Sequence, residues 1–214
     1  MNYPDYNTYT KLYGRYLKKS VQPFFEGIDL NGKRVLDLCA GGGQLSQFAM
    51  SKECGEVLMI DTAPQMLNPE FPLDDWRVSR LVTPVEWFFL DYNGVGFDVV
   101  TSRQAINYWF KNVSGEDISR VVKHGGVLVF NTFGNKPSIT PTVREYYHEG
   151  VAYKEISYLI DDTIHHVQTA AGFKPHVTAF AWIDREEFRQ KLSPFFHCRE
   201  VVDGPSSMWY CKKI

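Results

Sequence analysis

The stretch from Val35 to Gly43 constrains the fold more than any other part of the chain. It places an acidic residue, Asp37, inside an apolar strand-like run and follows it at once with three glycines. A carboxylate at the end of a buried strand is costly unless a polar partner uses it. Glycines let a ligand approach the backbone, and the amides that begin a following helix can receive a negatively charged group. The stretch therefore predicts a strand, a tight turn and a helix that together form a ligand site.

Strand-like and helix-like segments alternate from about residue 20 to residue 135. This alternation predicts an α/β fold in which helices cover a parallel sheet. The predicted strands are 34–39, 56–61, 78–82, 97–103 and 126–132, and the predicted helices are 6–20, 44–52 and 116–123.

The pattern changes after Gly134, where extended segments follow one another without helices between them. Turn-forming residues separate these segments, which predicts an antiparallel meander at about 150–183. Asp184 has the spacing of a helix N-cap, with Glu187 three residues on, so we expect a helix to about residue 195. The whole chain, 1–214, is expected to form one domain. The extended segments are 154–160, 164–170 and 176–183, and the closing strands are 198–203 and 208–213.

Composition and charge limit the partners of the chain. A net charge of −2 gives no electrostatic argument for a nucleic-acid or membrane-surface partner. No apolar run reaches the length of a membrane span, and the first residues lack the pattern of a secretory signal. The four cysteines have no C-x-x-C spacing and no nearby histidines that would suggest zinc. We therefore expect a cytoplasmic monomer or homodimer without a membrane or nucleic-acid partner.

The run around Asp37 is similar to the first motif of the class I S-adenosylmethionine-dependent methyltransferases. In that family a strand-end acid precedes a G-x-G-x-G turn, and here Cys39, Gly41 and Gly43 occupy the three glycine places. A second acid, Asp61, ends the next strand about twenty residues later, where it can accept ribose hydroxyls. The order of elements resembles that fold across the whole chain. The resemblance implies a Rossmann-like seven-stranded sheet with the antiparallel meander inserted after the fifth strand.

The resemblance also implies a role for each motif position toward S-adenosyl-L-methionine. Asp37 is expected to hold the methionyl amine, Gly41 and Gly43 to pass beneath the methionine part, and Asp61 to bind the ribose. The adenine-side motif is placed at Val85 and Glu86, although Asp91 competes for it and Glu86 could be only solvated. The expected cofactor-binding residues are Asp37, Cys39, Ala40, Gly41, Gly43, Asp61, Thr62, Met66, Val85, Glu86, Ser102 and Arg103.

The segment 97–109 resembles the fourth motif of the same family. Ser102 and Arg103 fall at the carboxyl end of its strand, where open α/β sheets collect ligands. The Asn- or Asp-Pro-Pro-aromatic phrase of DNA amino-methylating members is absent, which argues against DNA base methylation. Ser102 and Arg103 offer no acidic ligands of the kind that catechol-type members use for magnesium, so we expect no metal. Asn107 and Tyr108 follow the strand and are candidates for substrate contact and catalysis.

Tyr6, Tyr9, Tyr13 and Tyr16 share one side of the predicted N-terminal helix. The stripe is compatible with an aromatic face packed on the core and with a lid, residues 1–20, over the cofactor. Aromatic faces attract a cationic methyl donor, and nucleic-acid base stacking is a third interpretation that the acidic charge weakens. The lid interpretation makes Tyr9 a substrate-binding candidate and Tyr13 a catalytic one.

His166 is the candidate general base in the meander, whose strands are expected to cover the substrate. Adjacent residues on a strand point to opposite faces, so at most one of His165 and His166 faces the site. His166 is preferred because it shares a strand face with Gln168, although a structural role fits either histidine. The sequence thus favours methyl transfer to a nitrogen or oxygen of a small molecule. The alternatives are an RNA or protein methyltransferase and a non-catalytic cofactor-binding subunit.

Overall fold

The structure is a computed structural model that describes residues 3–17, 21–133, 136, 138–203 and 206–214. A seven-stranded sheet forms its centre, with strands in the order β10-β11-β5-β4-β1-β2-β3. Strands β1 to β5 run parallel, and β11 and β10 close the sheet as an antiparallel hairpin. The main-sheet strands are β1 Arg34–Leu38, β2 Glu56–Asp61, β3 Val78–Val82, β4 Phe97–Ser102, β5 Val122–Phe133, β10 Phe196–Asp203 and β11 Ser206–Lys213.

A smaller antiparallel sheet follows β5, and we call it the second sheet. It contains four strands in the order β6-β7-β8-β9, each bonded to the next along the chain. The seven-stranded sheet and the inserted meander confirm the predicted fold class. The bounds of the meander were wrong, because it begins at Thr142 rather than near residue 150 and contains one strand more than the sequence indicated. The strands are β6 Thr142–His148, β7 Val151–Ile160, β8 Thr163–Ala170 and β9 His176–Ala181.

Helices cover the main sheet as the alternation predicts, but the helices Val85–Asp91 and Ile106–Trp109 were not predicted, and the ends of the others differ slightly. The helix predicted at 116–123 ends at Val121, and the chain continues directly into β5. The predicted end of the first helix, 18–20, lies outside the described residues. Asp184 caps the last helix by accepting a hydrogen bond from the Glu187 amide at 2.9 Å. The helices are α1 Tyr6–Leu17, α2 Gln44–Ser51, α3 Val85–Asp91, α4 Ile106–Trp109, α5 Gly115–Val121 and α6 Arg185–Leu192.

The two faces of the main sheet bury separate apolar clusters. One cluster packs large aromatic residues such as Phe89, Trp109 and Phe188 beneath α3 to α6. The other packs Phe25 and Leu45 beneath α2 and the turn that precedes β1. Because β1 lies between β4 and β2 and is buried on both faces, its sequence is nearly all apolar. The single acid of β1, Asp37, therefore lies within this core.

Helix α1 packs on the second sheet. Leu12 is buried in an apolar cluster with Tyr153 and Ala170, and the Tyr153 hydroxyl donates to the Lys11 carbonyl at 2.7 Å. The predicted aromatic face of this helix therefore belongs partly to a small core between α1 and the second sheet. The side chain of Tyr16 lies outside the described residues.

Two features complete the fold. Cys198 and Cys211 face each other across β10 and β11 and form a disulfide, which the sequence analysis did not predict. Within the described residues, no helix combines the length and apolar character needed to cross a membrane.

Candidate cofactor and acceptor site

The site lies at the edge of the main sheet where its parallel strands end, which we call the carboxyl edge. Asp37 is 1% exposed there and accepts hydrogen bonds from Ser46 Oγ at 2.7 Å and Thr101 Oγ1 at 3.3 Å. Burial raises the pKa of Asp37 to about 6, and the two hydroxyl donors oppose that rise. At neutral pH the carboxylate is therefore charged and suited to a cationic partner.

Asp61 joins the turn after β1 to the turn after β2. Its carboxylate accepts from the Gly41 amide at 2.8 Å through Oδ2 and from the Ala63 amide at 2.8 Å through Oδ1. Burial raises the pKa of Asp61, while these backbone donors act in the opposite direction. Each oxygen keeps a further lone pair, so the carboxylate can still accept hydroxyl donors such as those of a ribose.

The glycine-rich turn is shaped both by backbone conformation and by close packing. Gly43 has a φ of 81°, and a Cβ added there would lie 2.7 Å from the Phe71 ring. Gly41 also has a positive φ, but a Cβ there would meet only the Cys39 carbonyl, at 4.0 Å. The turn is thus closed against the protein at Gly43 and open at Gly41, where a ligand can approach the backbone.

Cys39 occupies the position that is glycine in the family pattern. Its φ is 55°, the left-handed conformation that the pattern's glycine would adopt without strain. Burial, followed by the charges of Asp61 and Asp37, raises the pKa of the Cys39 thiol well above its usual value. The thiol is therefore neutral, and Cys39 adds bulk rather than charge to the site.

The N-terminal segment covers the carboxyl edge. The Tyr3 hydroxyl lies near Thr62, and the Tyr3 carbonyl accepts from Gln65 Nε2 at 3.1 Å. The Tyr6 ring lies against Gly42, where a Cβ would be 3.0 Å away. Tyr3 is not among the predicted site residues, although the three-residue steps of the tyrosine stripe extend back to it.

Tyr9 brings the same segment to the end of β4. Burial raises the pKa of Tyr9 to about 12, and the nearby Arg103 guanidinium opposes that rise. A small cavity of about 30 Å³ remains beneath it. Ligand pockets generally hold about 300–1,000 Å³, so the N-terminal segment must shift to admit a nucleoside-sized ligand. The cavity is lined by Tyr9, Asp37, Cys39, Ala40, Gly41, Gln44, Leu45, Arg103 and Gln104.

The remaining cofactor candidates take different positions. Ser102 is fully buried and accepts from Trp109 Nε1 at 3.3 Å, so its hydroxyl contributes to the core. Val85 is buried at the start of α3. Glu86 follows it, accepts from Asn112 Nδ2 at 3.0 Å and lies close enough to Tyr3 for its charge to raise the tyrosine pKa. Met66 is buried in the turn after β2, where the adenine-side residues were expected.

Helix α4 connects the carboxyl edge to the second sheet. The buried Asn107 amide donates to the Ala181 carbonyl at 2.9 Å and accepts from Thr132 Oγ1 at 3.0 Å, so it joins three elements. The next residue, Tyr108, packs on β9 with its ring 5.2 Å from that of Phe180, and burial raises its pKa. The ionisable groups of Tyr3, Cys39 and Tyr9 lie near enough to raise the pKa of Tyr108 further. Tyr108 thus belongs to both the carboxyl edge and the second sheet.

The second sheet presents a polar face toward α1 and α4, which we call the inner face. Two cross-strand rows form it: Glu155, Gln168 and His176 in one, and Ser157, His166 and Thr178 in the other. His166 Nδ1 lies 2.8 Å from Ser157 Oγ, and His176 Nδ1 lies 2.5 Å from Tyr13 Oη. The sequence prediction selected His166 for this face but not His176. No spacing signal connects Tyr13 with His176, because 163 positions separate them.

His165 lies on the opposite face of β8, as the strand alternation requires. Its ring stacks on Tyr158 with centroids 5.2 Å apart. Of the two adjacent histidines, His166 is therefore the one directed toward α1 and α4.

Comparison with known proteins identifies the family. The family described as "Methyltransferase domain" matches residues 9–177, which is most of the chain. No curated protein matches the sequence.

Solved structures with the same fold share little sequence with the chain. An S-adenosylmethionine-dependent methyltransferase from Clostridium acetobutylicum has a TM-score of 0.70 at 16% identity, covering 97% of this chain and 98% of the other. CalS10, an amino pentose methyltransferase from Micromonospora echinaspora, has a TM-score of 0.69 at 17% identity, with 100% of both chains covered. DesVI from Streptomyces venezuelae has a TM-score of 0.65 at 16% identity, covering 98% of this chain and 95% of the other. Together with the family match, this fold places the chain among the class I S-adenosylmethionine-dependent methyltransferases.

Proposed function

We propose that this methyltransferase transfers the methyl group of S-adenosylmethionine to a nitrogen or oxygen of a small polar molecule. The observation that carries the proposal is the packing of α4 on β9, where the rings of Tyr108 and Phe180 lie 5.2 Å apart and the Asn107 amide donates to the Ala181 carbonyl, which brings the second sheet to the carboxyl edge. An acceptor held against the inner face would thereby lie beside the donor site. CalS10, which has a similar fold over its full length, is an amino pentose methyltransferase and supports a small-molecule acceptor.

The donor site in this proposal uses residues that suit the cofactor chemically. The buried Asp37 carboxylate would receive the methionyl ammonium, and the open backbone at Gly41 would lie beneath the methionine part. Asp61, already fixed by two backbone amides, would accept the ribose hydroxyls. Thr62, Met66 and Glu86 would surround the adenine side.

When bound, S-adenosylmethionine supplies an activated methyl group, so the protein mainly contributes proximity and alignment. Tyr9 would close over the donor site, and its ring face would favour the cationic sulfonium. Asn107 holds α4 to β5 and β9 and so positions Tyr108. Tyr108, with a raised pKa, keeps its proton at neutral pH and would act as a hydrogen-bond donor or as a wall of the acceptor pocket.

The acceptor class can be tested with a methyl-labelled donor. Purified protein is incubated with labelled S-adenosylmethionine and separate fractions of small metabolites, RNA and protein. Label transferred to the small-molecule fraction supports the proposal, and label confined to RNA or protein contradicts it. Asp61→Asn serves as the cofactor-deficient control, and Asp74→Asn, an exposed loop acid, is the matched substitution outside the site.

A further inference from the structure

Tyr13 and His176 form a hydrogen-bonded pair between α1 and the second sheet. Their side-chain atoms Oη and Nδ1 lie 2.5 Å apart, and the rings meet edge-on with centroids 5.6 Å apart. Both residues are partly exposed, so neither is sealed within the core. The pair therefore lies where a small molecule can reach it.

The state of His176 determines the direction of the hydrogen bond. Burial lowers the pKa of His176, and the nearby His166 lowers it further. A neutral imidazole has one acceptor nitrogen and one donor nitrogen. In the tautomer that carries its proton on Nε2, the neutral ring accepts from the Tyr13 hydroxyl at Nδ1.

The pair is close to the donor site. The ring of Tyr13 lies 5.2 Å from that of Tyr9, and Tyr9 lines the cavity that also contains Asp37 and Arg103. Tyr13 is thus the next aromatic residue along α1, between the donor cavity and the inner face. An acceptor that reaches past Tyr9 would meet the Tyr13 oxygen.

We propose that Tyr13 and His176 together accept the proton that the methyl acceptor releases, an inference that rests on the proposed function. The acceptor lone pair forms the new bond to the methyl carbon as the carbon–sulfur bond of the donor breaks. The acceptor proton passes to Tyr13 Oη, while the Tyr13 proton passes to His176 Nδ1. The resulting imidazolium returns its proton to solvent through its exposed side.

His166 is the alternative base on the same inner face, but its contacts differ. Its Nδ1 is paired with the Ser157 hydroxyl at 2.8 Å. Burial lowers its pKa, the Glu155 carboxylate opposes that change, and the Gln168 amide also favours its charged form. Gln168 Oε1 is buried with no partner within normal hydrogen-bond distance. The polar groups that bond or act on His166 and His176 are Tyr13 from α1, Arg144 from β6, Glu155 and Ser157 from β7, Gln168 from β8 and Thr178 from β9, and Tyr146 from β6 bonds both Glu155 and Gln168.

Nuclear magnetic resonance of the imidazole nitrogens tests the pair without any acceptor. The protein is titrated from pH 5 to pH 8 with S-adenosylhomocysteine bound. We expect His176 to be neutral at pH 7, with Nε2 protonated, and to shift clearly in Tyr13→Phe. A His176 that is charged at pH 7, or that carries its proton on Nδ1, would overturn the proposal whether or not an acceptor is known.

Kinetics then separates a catalytic role from a structural one. A primary aliphatic amine, an amino sugar and a phenol serve as probe acceptors, and the one with the fastest turnover is used. His176→Asn and Tyr13→Phe should each lower kcat by about 10²–10⁴-fold, and His176→Asn should remove the fall in kcat at acidic pH. His165→Asn, on the opposite face, should leave kcat unchanged. An unchanged pH profile in His176→Asn, or a large loss confined to His166→Asn, would contradict the assignment.

Calorimetry distinguishes failure of this inference from failure of the proposed function. His176→Asn should bind S-adenosylhomocysteine as the wild type does, because His176 does not line the donor cavity. If the wild type binds no cofactor, the proposed function fails. If it binds cofactor and methylates a probe with His176 dispensable, only the proton-accepting pair fails.

Discussion

The Asp61 carboxylate receives the Gly41 amide at 2.8 Å, so the acid that ends β2 holds the glycine-rich turn that follows β1. The second oxygen of the same carboxylate receives the Ala63 amide at 2.8 Å. Asp61 is therefore oriented before any ligand arrives. This preorganisation reduces the entropy that the side chain would otherwise lose on binding a ribose.

Asp61→Asn should weaken S-adenosylmethionine binding, because an amide offers one acceptor oxygen where the carboxylate offers two. The loss of a charge-assisted hydrogen bond costs about 1.5–3 kcal/mol, which corresponds to roughly 10–150-fold in Kd. Isothermal calorimetry measures the change, with Asp74→Asn as the matched control. Equal affinity in Asp61→Asn and the wild type would contradict the role of Asp61.

The affinity for S-adenosylmethionine should fall as pH drops below about 6. The pKa of Asp37 is raised from 3.8 to about 6 in the folded protein. Between these two pH values the folded protein therefore keeps a proton on Asp37 that the unfolded chain has released. The stabilising contribution of the neutral acid is therefore lost as pH rises through about 6. A cofactor ammonium group stabilises the ionised carboxylate of Asp37. Cofactor binding therefore favours the deprotonated form and weakens as Asp37 takes up its proton.

Calorimetry from pH 5 to pH 8 checks this dependence. The dissociation constant should rise by up to about tenfold per pH unit below the pKa, and Asp37→Asn should flatten the profile. A wild-type affinity that is constant across this range would exclude an ionised Asp37 as the ammonium partner.

Cys39→Gly should preserve or increase stability, whereas glycine at the other free cysteine should not. The left-handed backbone of Cys39 costs a non-glycine residue about 1–2 kcal/mol, and the greater freedom of glycine in the unfolded chain offsets part of the gain. Cys54 is 1% exposed and lies outside the left-handed region, so Cys54→Gly loses packing without relieving strain. Denaturant unfolding of both variants provides the comparison. A Cys39→Gly protein destabilised as much as Cys54→Gly would show that Cys39 is not strained.

Tyr3→Ala should speed cofactor association, because Tyr3 lies among residues of the proposed nucleoside site. Its hydroxyl lies near Thr62, and the Asp61 and Glu86 carboxylates raise its pKa. A polar contact as strong as one neutral hydrogen bond contributes about 0.5–1.5 kcal/mol, so removing the side chain should raise the association rate by up to about tenfold. Stopped-flow fluorescence measures this rate. Tyr147→Ala, at an exposed position of β6, is the control, and equal rates in the two variants would argue against a covering role for Tyr3.

The proposed donor side of the site rests on residues that local sequence patterns select. Asp37, Gly41 and Asp61 were selected because strand ends and tight turns impose residue types over a few neighbouring positions. The parallel order of β1 to β5 also follows from short strand–helix alternation. The two closing strands were predicted from two extended segments that follow each other without a helix, although the disulfide that joins β10 and β11 was not predicted.

The acceptor side was decided by the tertiary structure. The sequence placed Tyr13 on the aromatic helix face and His166 on the strand face shared with Gln168, but the hydrogen-bond partner of Tyr13 is His176, which lies 163 positions away. Helical and strand periodicities describe which side of an element a residue occupies, and they carry no information about which distant element packs there. The packing of α1 on the second sheet, set by the buried contacts of Leu12 with Tyr153 and Ala170, brings this pair together. Local chemistry thus determined the residues of the proposed donor site, and long-range packing determined which groups meet on the proposed acceptor side.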